Sequence, residues 1–226
     1  VGPGSRWVTA AKQLVAGQVT IDMLAGPSEL VVLADDSADP ALVAADLLAQ
    51  AEHDPEALPV LVSLSRALPA RVERELLRQL ATLPGADVAR AALAHGFCLV
   101  AHDEDEAVAA CDAIAPEHLE LMVRAPTRIR SRLRHYGAAF IGAGSAEVFG
   151  DYGAGPNHVL PTGGAARGSG GLSVLTFLRV RTWLRLDARR APGLVRDTAA
   201  LARLEGLEGH ARAAERRASR TMPGNR

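Results

Sequence analysis

The feature that most constrains the fold is the run Leu30-Val31-Val32-Leu33-Ala34, apolar without a polar break. A strand with one wet face alternates apolar and polar residues; an unbroken run is what a parallel sheet buries on both faces. Ser37 or Asp39 is placed to cap a helix predicted over 40–52, with Leu42, Ala45, Leu48 and Ala49 as its apolar stripe. Strands are predicted over 59–64, 97–100, 119–123 and 138–142, alternating with helices over 70–83, 103–114 and 127–136. The acidic first turn of the 103–114 segment suits a helix dipole. Strand-helix alternation of this kind predicts a parallel α/β layer.

Both ends depart from that rhythm. The chain begins Val1-Gly2-Pro3-Gly4, a loop sequence, followed by a short helix over 6–16 with Trp7, Ala10, Ala11 and Leu14 in register, then a strand over 19–23. From Ser173 no further strand is predicted. An apolar-rich helix over 173–186 and Arg- and Ala-dense helix over 194–219 make a small C-terminal helical module, hinged near 165–171, with 221–226 frayed.

With 226 residues, 48% of them hydrophobic, the chain can bury one sizeable core or two small ones. A formal net charge of −1 gives no general attraction to nucleic acid or to an anionic membrane. The two cysteines, Cys98 and Cys111, do not make a disulfide framework, so a reducing compartment is expected. No membrane-length apolar run and no signal-peptide pattern occur, and a cytoplasmic location is the expectation.

Chemistry-bearing residues fall in four islands. Glu117 and His118 are adjacent, just past Pro116 and just before a strand; such a pair can move protons near neutral pH, or can be a surface loop. Gln50 and His53, three apart at a helix end, share a face and either ligate a metal or cap the helix. Such an end normally lies far from a parallel sheet's catalytic rim. Residues 150–158 form a glycine-rich loop in which Asp151 could ligate a cation and Asn157 and His158 hold a polar substrate; the plain alternative is a Gly/Pro turn. Glu205 and His210 are five apart, which is not a same-face spacing on one regular helix. No glycine cluster has the strand-turn-helix context of a dinucleotide fingerprint.

Together the islands resemble a known family. Gly2-Pro3-Gly4, Val8-Thr9-Ala10-Ala11-Lys12, Ile21-Asp22-Met23, Ala25-Gly26-Pro27-Ser28-Glu29, Gln50-Ala51-Glu52-His53, Ala115-Pro116-Glu117-His118-Leu119-Glu120 and Gly155-Pro156-Asn157-His158-Val159-Leu160-Pro161-Thr162 are similar, in this order, to histidinol dehydrogenase. The resemblance is to the C-terminal half of the family's usual length, weaker after about Phe177, so the chain reads as a fragment with the N-terminal half absent. It implies an incomplete Rossmann-like α/β sheet. Residues 1–28 would end a second Rossmann-like domain, 29–172 would carry the zinc and acid-base residues, and 173–226 would be a helical dimer-docking module.

The resemblance further implies a zinc-dependent homodimer that oxidises L-histidinol to L-histidine in two NAD-linked steps through an aldehyde. Zn²⁺ would be held by Gln50, His53 and Asp151, with His210 delivered by a second subunit. Glu117 would activate water and His118 would take the alcohol proton. Ser28, Tyr152, His158 and the second subunit's Glu205 would join Gln50, His53, His118, Asp151 and His210 around the substrate. Gly2, Pro3, Gly4 and Ser5 would lie near NAD, with Ser5 where the family usually has Asn. Residues 167–171 and 179–190 also depart from the family pattern. Two other readings are a truncated, inactive relative that at most binds metal, and a distinct metal-dependent hydrolase using Glu117.

Overall fold

A computed structural model describes residues 1–2, 4–187 and 190–219. The chain divides into two compact units, Val1–Leu178 and Arg179–Arg226. The first unit is built on five parallel strands: β1 (Glu29–Ala34), β2 (Leu58–Ser63), β3 (Phe97–Val100), β4 (His118–Met122) and β5 (Ala138–Ile141). Their spatial order is β3-β2-β1-β4-β5. The apolar run therefore becomes the central strand, and all six residues of β1 are buried.

Each face of the sheet has its own core. Alternation sends Val31, Leu33, Val60, Val62, Leu119 and Leu121 to one face, against Ala107, Val108 and Cys111 of α5 (Glu104–Ile114) and Ile129 of α6 (Pro126–Arg130). Leu30, Val32, Leu61 and Met122 go to the other, against Val43, Ala44 and Leu47 of α2 (Pro40–Ala51) and Val72 of α3 (Leu68–Leu80). Each fully buried Leu or Val contributes roughly 1.5–3 kcal/mol. The expected incomplete sheet is thus corrected: five parallel strands form one layer with a helix-packed core on each face, while the edge strand β3 stays largely exposed.

Several local expectations change. The buried face of α2 is Val43, Ala44, Leu47, Leu48, Gln50 and Ala51, while Leu42 points outward; Asp39 caps it by accepting from Ala41 N–H. A further helix, α4 (Ala86–Leu93), lies before β3. Helix α6 stops at Arg130 rather than continuing to 136, because Asp112 Oδ1 accepts the N–H groups of Arg134 and His135. A side chain that offers the backbone another partner ends a helix in this way.

Residues 19–23 form no strand. There the Asp22 carboxylate accepts from Gly2 N–H (2.6 Å) and pairs with Lys12 (2.7 Å), while Lys12 also donates to the Gly2 carbonyl. Burial pushes the Asp22 carboxyl up, but Lys12 and the N–H groups of Met23 and Gly2 outweigh it and hold it at about 2. The stripe of α1 (Arg6–Val15) is exposed, with Trp7 76% and Leu14 81% accessible, so it is not a core stripe within this unit.

The predicted helix over 173–186 is absent. Only a 3-10 turn forms at Val174–Phe177, and no helix follows through 187. Here Arg179, Arg181 and Arg185 share one phase of a two-residue repeat with Trp183, and Val180, Thr182, Leu184 and Leu186 take the other, a pattern that does not make a helical stripe. In the second unit, α8 (Pro192–Leu204) and α9 (Glu208–Ser219) are separated at Gly206, whose φ of 75° no helix interior accepts. Arg203 bridges Glu208 and Glu215 across the pair, an exposed network worth little to stability. No helix among the described residues is long and apolar enough to cross a membrane, and both cysteines are free.

A Cβ at Gly137 would lie 2.5 Å from the Glu117 carbonyl oxygen, whereas one at Gly144 meets nothing within 4 Å. Gly137→Ala is therefore expected to cost about 1–3 kcal/mol in urea unfolding through overpacking. Gly144→Ala is the control, and equal midpoints for the two variants would contradict the packing described.

Candidate active site and metal-binding cluster

The site forms at the amino edge of the sheet. Register pairs Leu30 with His118, so Ser28 and Glu29 entering β1 lie beside Glu117 and His118 entering β4. Because β1 and β2 are parallel neighbours, α2 must run back between them, and its end returns to this same edge. Gln50 and His53 thus reach the site on a regular helix end. The expectation that such an end is remote assumed chemistry at the carboxyl edge. That edge, after β1, carries Asp35, Asp36 and Asp39, a poor cradle for a pyrophosphate.

Ala115 sets the aim of the pair. It closes α5 in the left-handed region at φ 53°, uncommon for a residue with a Cβ, and turns the chain through Pro116 into β4. Ser28 Oγ donates to Glu117 Oε2 at 2.7 Å, and Glu29 N–H donates to the same oxygen at 3.1 Å. His118 Nδ1 lies 3.2 Å from the Glu29 carbonyl oxygen and 3.7 Å from Glu117 Oε2; its Nε2 is 3.8 Å from Glu147 Oε1. Both members of the pair are buried.

Burial dominates their titration. It raises the Glu117 carboxyl to about 7, opposed by the Ser28 and Glu29 donors and assisted by the charges of Glu29 and Asp151. It lowers the His118 imidazole to about 4, opposed by Asp151 and the Glu29 carbonyl and assisted by His53. At neutral pH the imidazole is uncharged. With Nδ1–H donating to a carbonyl, Nε2 is left as the basic nitrogen.

Beside the pair, His53, Glu147 and Asp151 each offer a ligand atom, all within 4.8 Å of one another, a potential metal-binding cluster. Asp151 ends the short helix α7 (Val148–Asp151), and Glu147 immediately precedes it. Both carboxylate oxygens of Glu147 are buried without a hydrogen-bond partner, as are both amide atoms of the fully buried Gln50. Orphaned buried polar groups are rare and point to a missing cation or water. Burial, with Asp151, Glu117 and Asp46 nearby, raises Glu147 to about 7. Burial and Asp46 raise Glu120 to about 9, while its Oε1 accepts from Glu147 N–H at 2.6 Å. Imidazole, carboxylate and amide donors fit Zn²⁺.

The remaining expected residues divide. Gly2, Gly4, Ser28, Glu117 and His158 line one cavity of about 140 Å³. Ser5 is exposed at the start of α1, and Pro3 lies outside the described residues. Tyr152 is 82% accessible. The Asn157 amide holds the backbone at Val159 and Leu172. Glu205 follows α8 and His210 lies in α9, both exposed in the second unit. Sequence reading missed Glu29, Asp46, Glu120 and Glu147. Glu120 carried a signal, since His118 and Glu120 put two polar side chains on one face of a buried strand. Glu147 carried none.

A family model described as histidinol dehydrogenase matches residues 1–218. The chain belongs to the histidinol dehydrogenase family. The histidinol dehydrogenase of Thermus thermophilus is 52% identical over 217 residues, covering 96% of this chain and 53% of that protein. That of Nitratidesulfovibrio vulgaris is 53% identical, covering 96% and 50%. A crystal structure of histidinol dehydrogenase from Elizabethkingia anophelis superimposes with a TM-score of 0.90 at 35% identity, covering 96% of this chain and 51% of that one. The chain spans about half the length of the curated relatives it matches. The expectation of a C-terminal fragment with its other half absent is corrected: the family match takes in residues 1–218 of this chain.

A carboxyl raised by the fold stabilises most below its unfolded value of 4.5, and that contribution is lost as pH rises through about 7. Glu117→Gln is therefore expected to raise metal-free stability at pH 8 by on the order of 2 kcal/mol, with the gain vanishing below pH 4.5. Denaturant unfolding at both pH values checks this; a gain independent of pH contradicts it.

Proposed function

We propose that the protein acts as a zinc-dependent histidinol dehydrogenase, oxidising L-histidinol through the aldehyde to L-histidine with NAD. The observation that carries this reading is the buried Glu117-His118 pair beside a metal-competent cluster. His118 Nε2, neutral and aimed into the site, accepts the alcohol proton. Glu117, poised near neutrality, accepts a proton from the water that hydrates the aldehyde, with Ser28 and the Glu29 N–H holding its acceptor oxygen. Bound Zn²⁺ supplies a fixed positive charge that holds the substrate's nitrogen donors. Gln50, His53 and Asp151 would hold it, with His210 of a second copy completing the set and Glu205 of that copy facing the substrate.

The dinucleotide fits less well. The turn after β1 is acidic, and the cavity beside Gly2 and Gly4 is far smaller than a dinucleotide. NAD is proposed from family membership, and each step above concerns this chain's own side chains.

NADH formation from L-histidinol by the purified, zinc-loaded chain tests the reading. Turnover is expected to rise with pH through an apparent pKa near 7. Glu117→Gln is expected to lower kcat by about 10²–10⁴-fold. His53→Ala should lose most bound zinc, and His210→Ala should weaken it. No NADH at high enzyme, cofactor and zinc would overturn the activity for this chain.

A further inference from the structure

Glu29 opens β1 and meets the site three times. Its N–H donates to Glu117 Oε2 at 3.1 Å, and its carbonyl faces His118 Nδ1 at 3.2 Å. Its side chain turns the other way: Oε1 accepts from Gly163 N–H at 2.8 Å, a contact spanning 134 residues. Gly163 and Gly164 are consecutive left-handed residues that end the segment carrying His158 and Leu160 along the cavity wall. Thr162 Oγ1, buried beside them, accepts from Gly26 N–H.

We propose that Glu29 is the positioning residue of this site, holding Glu117, His118 and the 158–164 loop in one frame. The two backbone contacts could come from any residue at this position, so the side chain's own contribution is the tie to Gly163. An apolar side chain of similar size would leave the Gly163 N–H without its acceptor and the cavity wall at His158 and Leu160 without its tie to β1. A glutamine would satisfy Gly163 equally well, because the role belongs to the acceptor oxygen.

This inference rests on Glu117 and His118 as the proton-handling pair, and its test is kept separate from turnover. Amide hydrogen exchange on the whole chain reads the loop at Gly163. Glu29→Gln is expected to leave Gly163 protection intact, and Glu29→Ala to cut it by roughly tenfold or more, with core amides such as Leu33 unchanged. If Glu29→Ala fails to fold, Glu29→Leu takes its place. Full Gly163 protection in a folded Glu29→Ala or Glu29→Leu, or a loss of protection in Glu29→Gln as large as in those variants, overturns the proposal. A wild type without turnover but with this pattern would leave Glu29's role standing and sink the activity instead.

Discussion

The structure depends on the parallel pairing of β1 with β4, in the register that sets Leu30 opposite His118. That register places the entrances of two central strands side by side. The same parallel arrangement makes α2 deliver Gln50 and His53 to that edge. A slip of one residue would send His118 and Glu120 into the α5 face and Leu119 into the site. Burial of all six residues of β1 is what makes such a slip costly.

The second constraint is electrostatic. Glu29, Glu117, Glu120 and Glu147 are all buried, with Asp46 and Asp151 partly so. Among the described contacts of this cluster the only basic side chains are His53 and His118, and burial keeps His118 neutral. Carboxyl groups gathered this way either keep their protons or take up a cation. The raised values of Glu117, Glu120 and Glu147 show the first response. The orphaned oxygens of Glu147 and the orphaned amide of Gln50 leave room for the second.

Much of this was legible in the chain. The run at 30–34 and the alternation after it gave the parallel layer, and Glu117-His118 stood out by chemistry alone. Failures came where one pattern had two solutions. Residues 173–186 were read at helical period although their arginines alternate at two. Helix 127–136 was cut short by Asp112, a residue on another element. Glu29 and Glu147 were invisible because nothing in their local sequence marks them; only the fold brings them to the pair.

Anomalous diffraction at the zinc edge, from crystals of the whole chain grown with Zn²⁺, decides whether the acidic cluster takes up a cation. A zinc peak is expected within bonding reach of His53 and Asp151, on the side of the site that His118 Nε2 faces. No zinc uptake, or zinc only away from those two residues, would rule out this metal site.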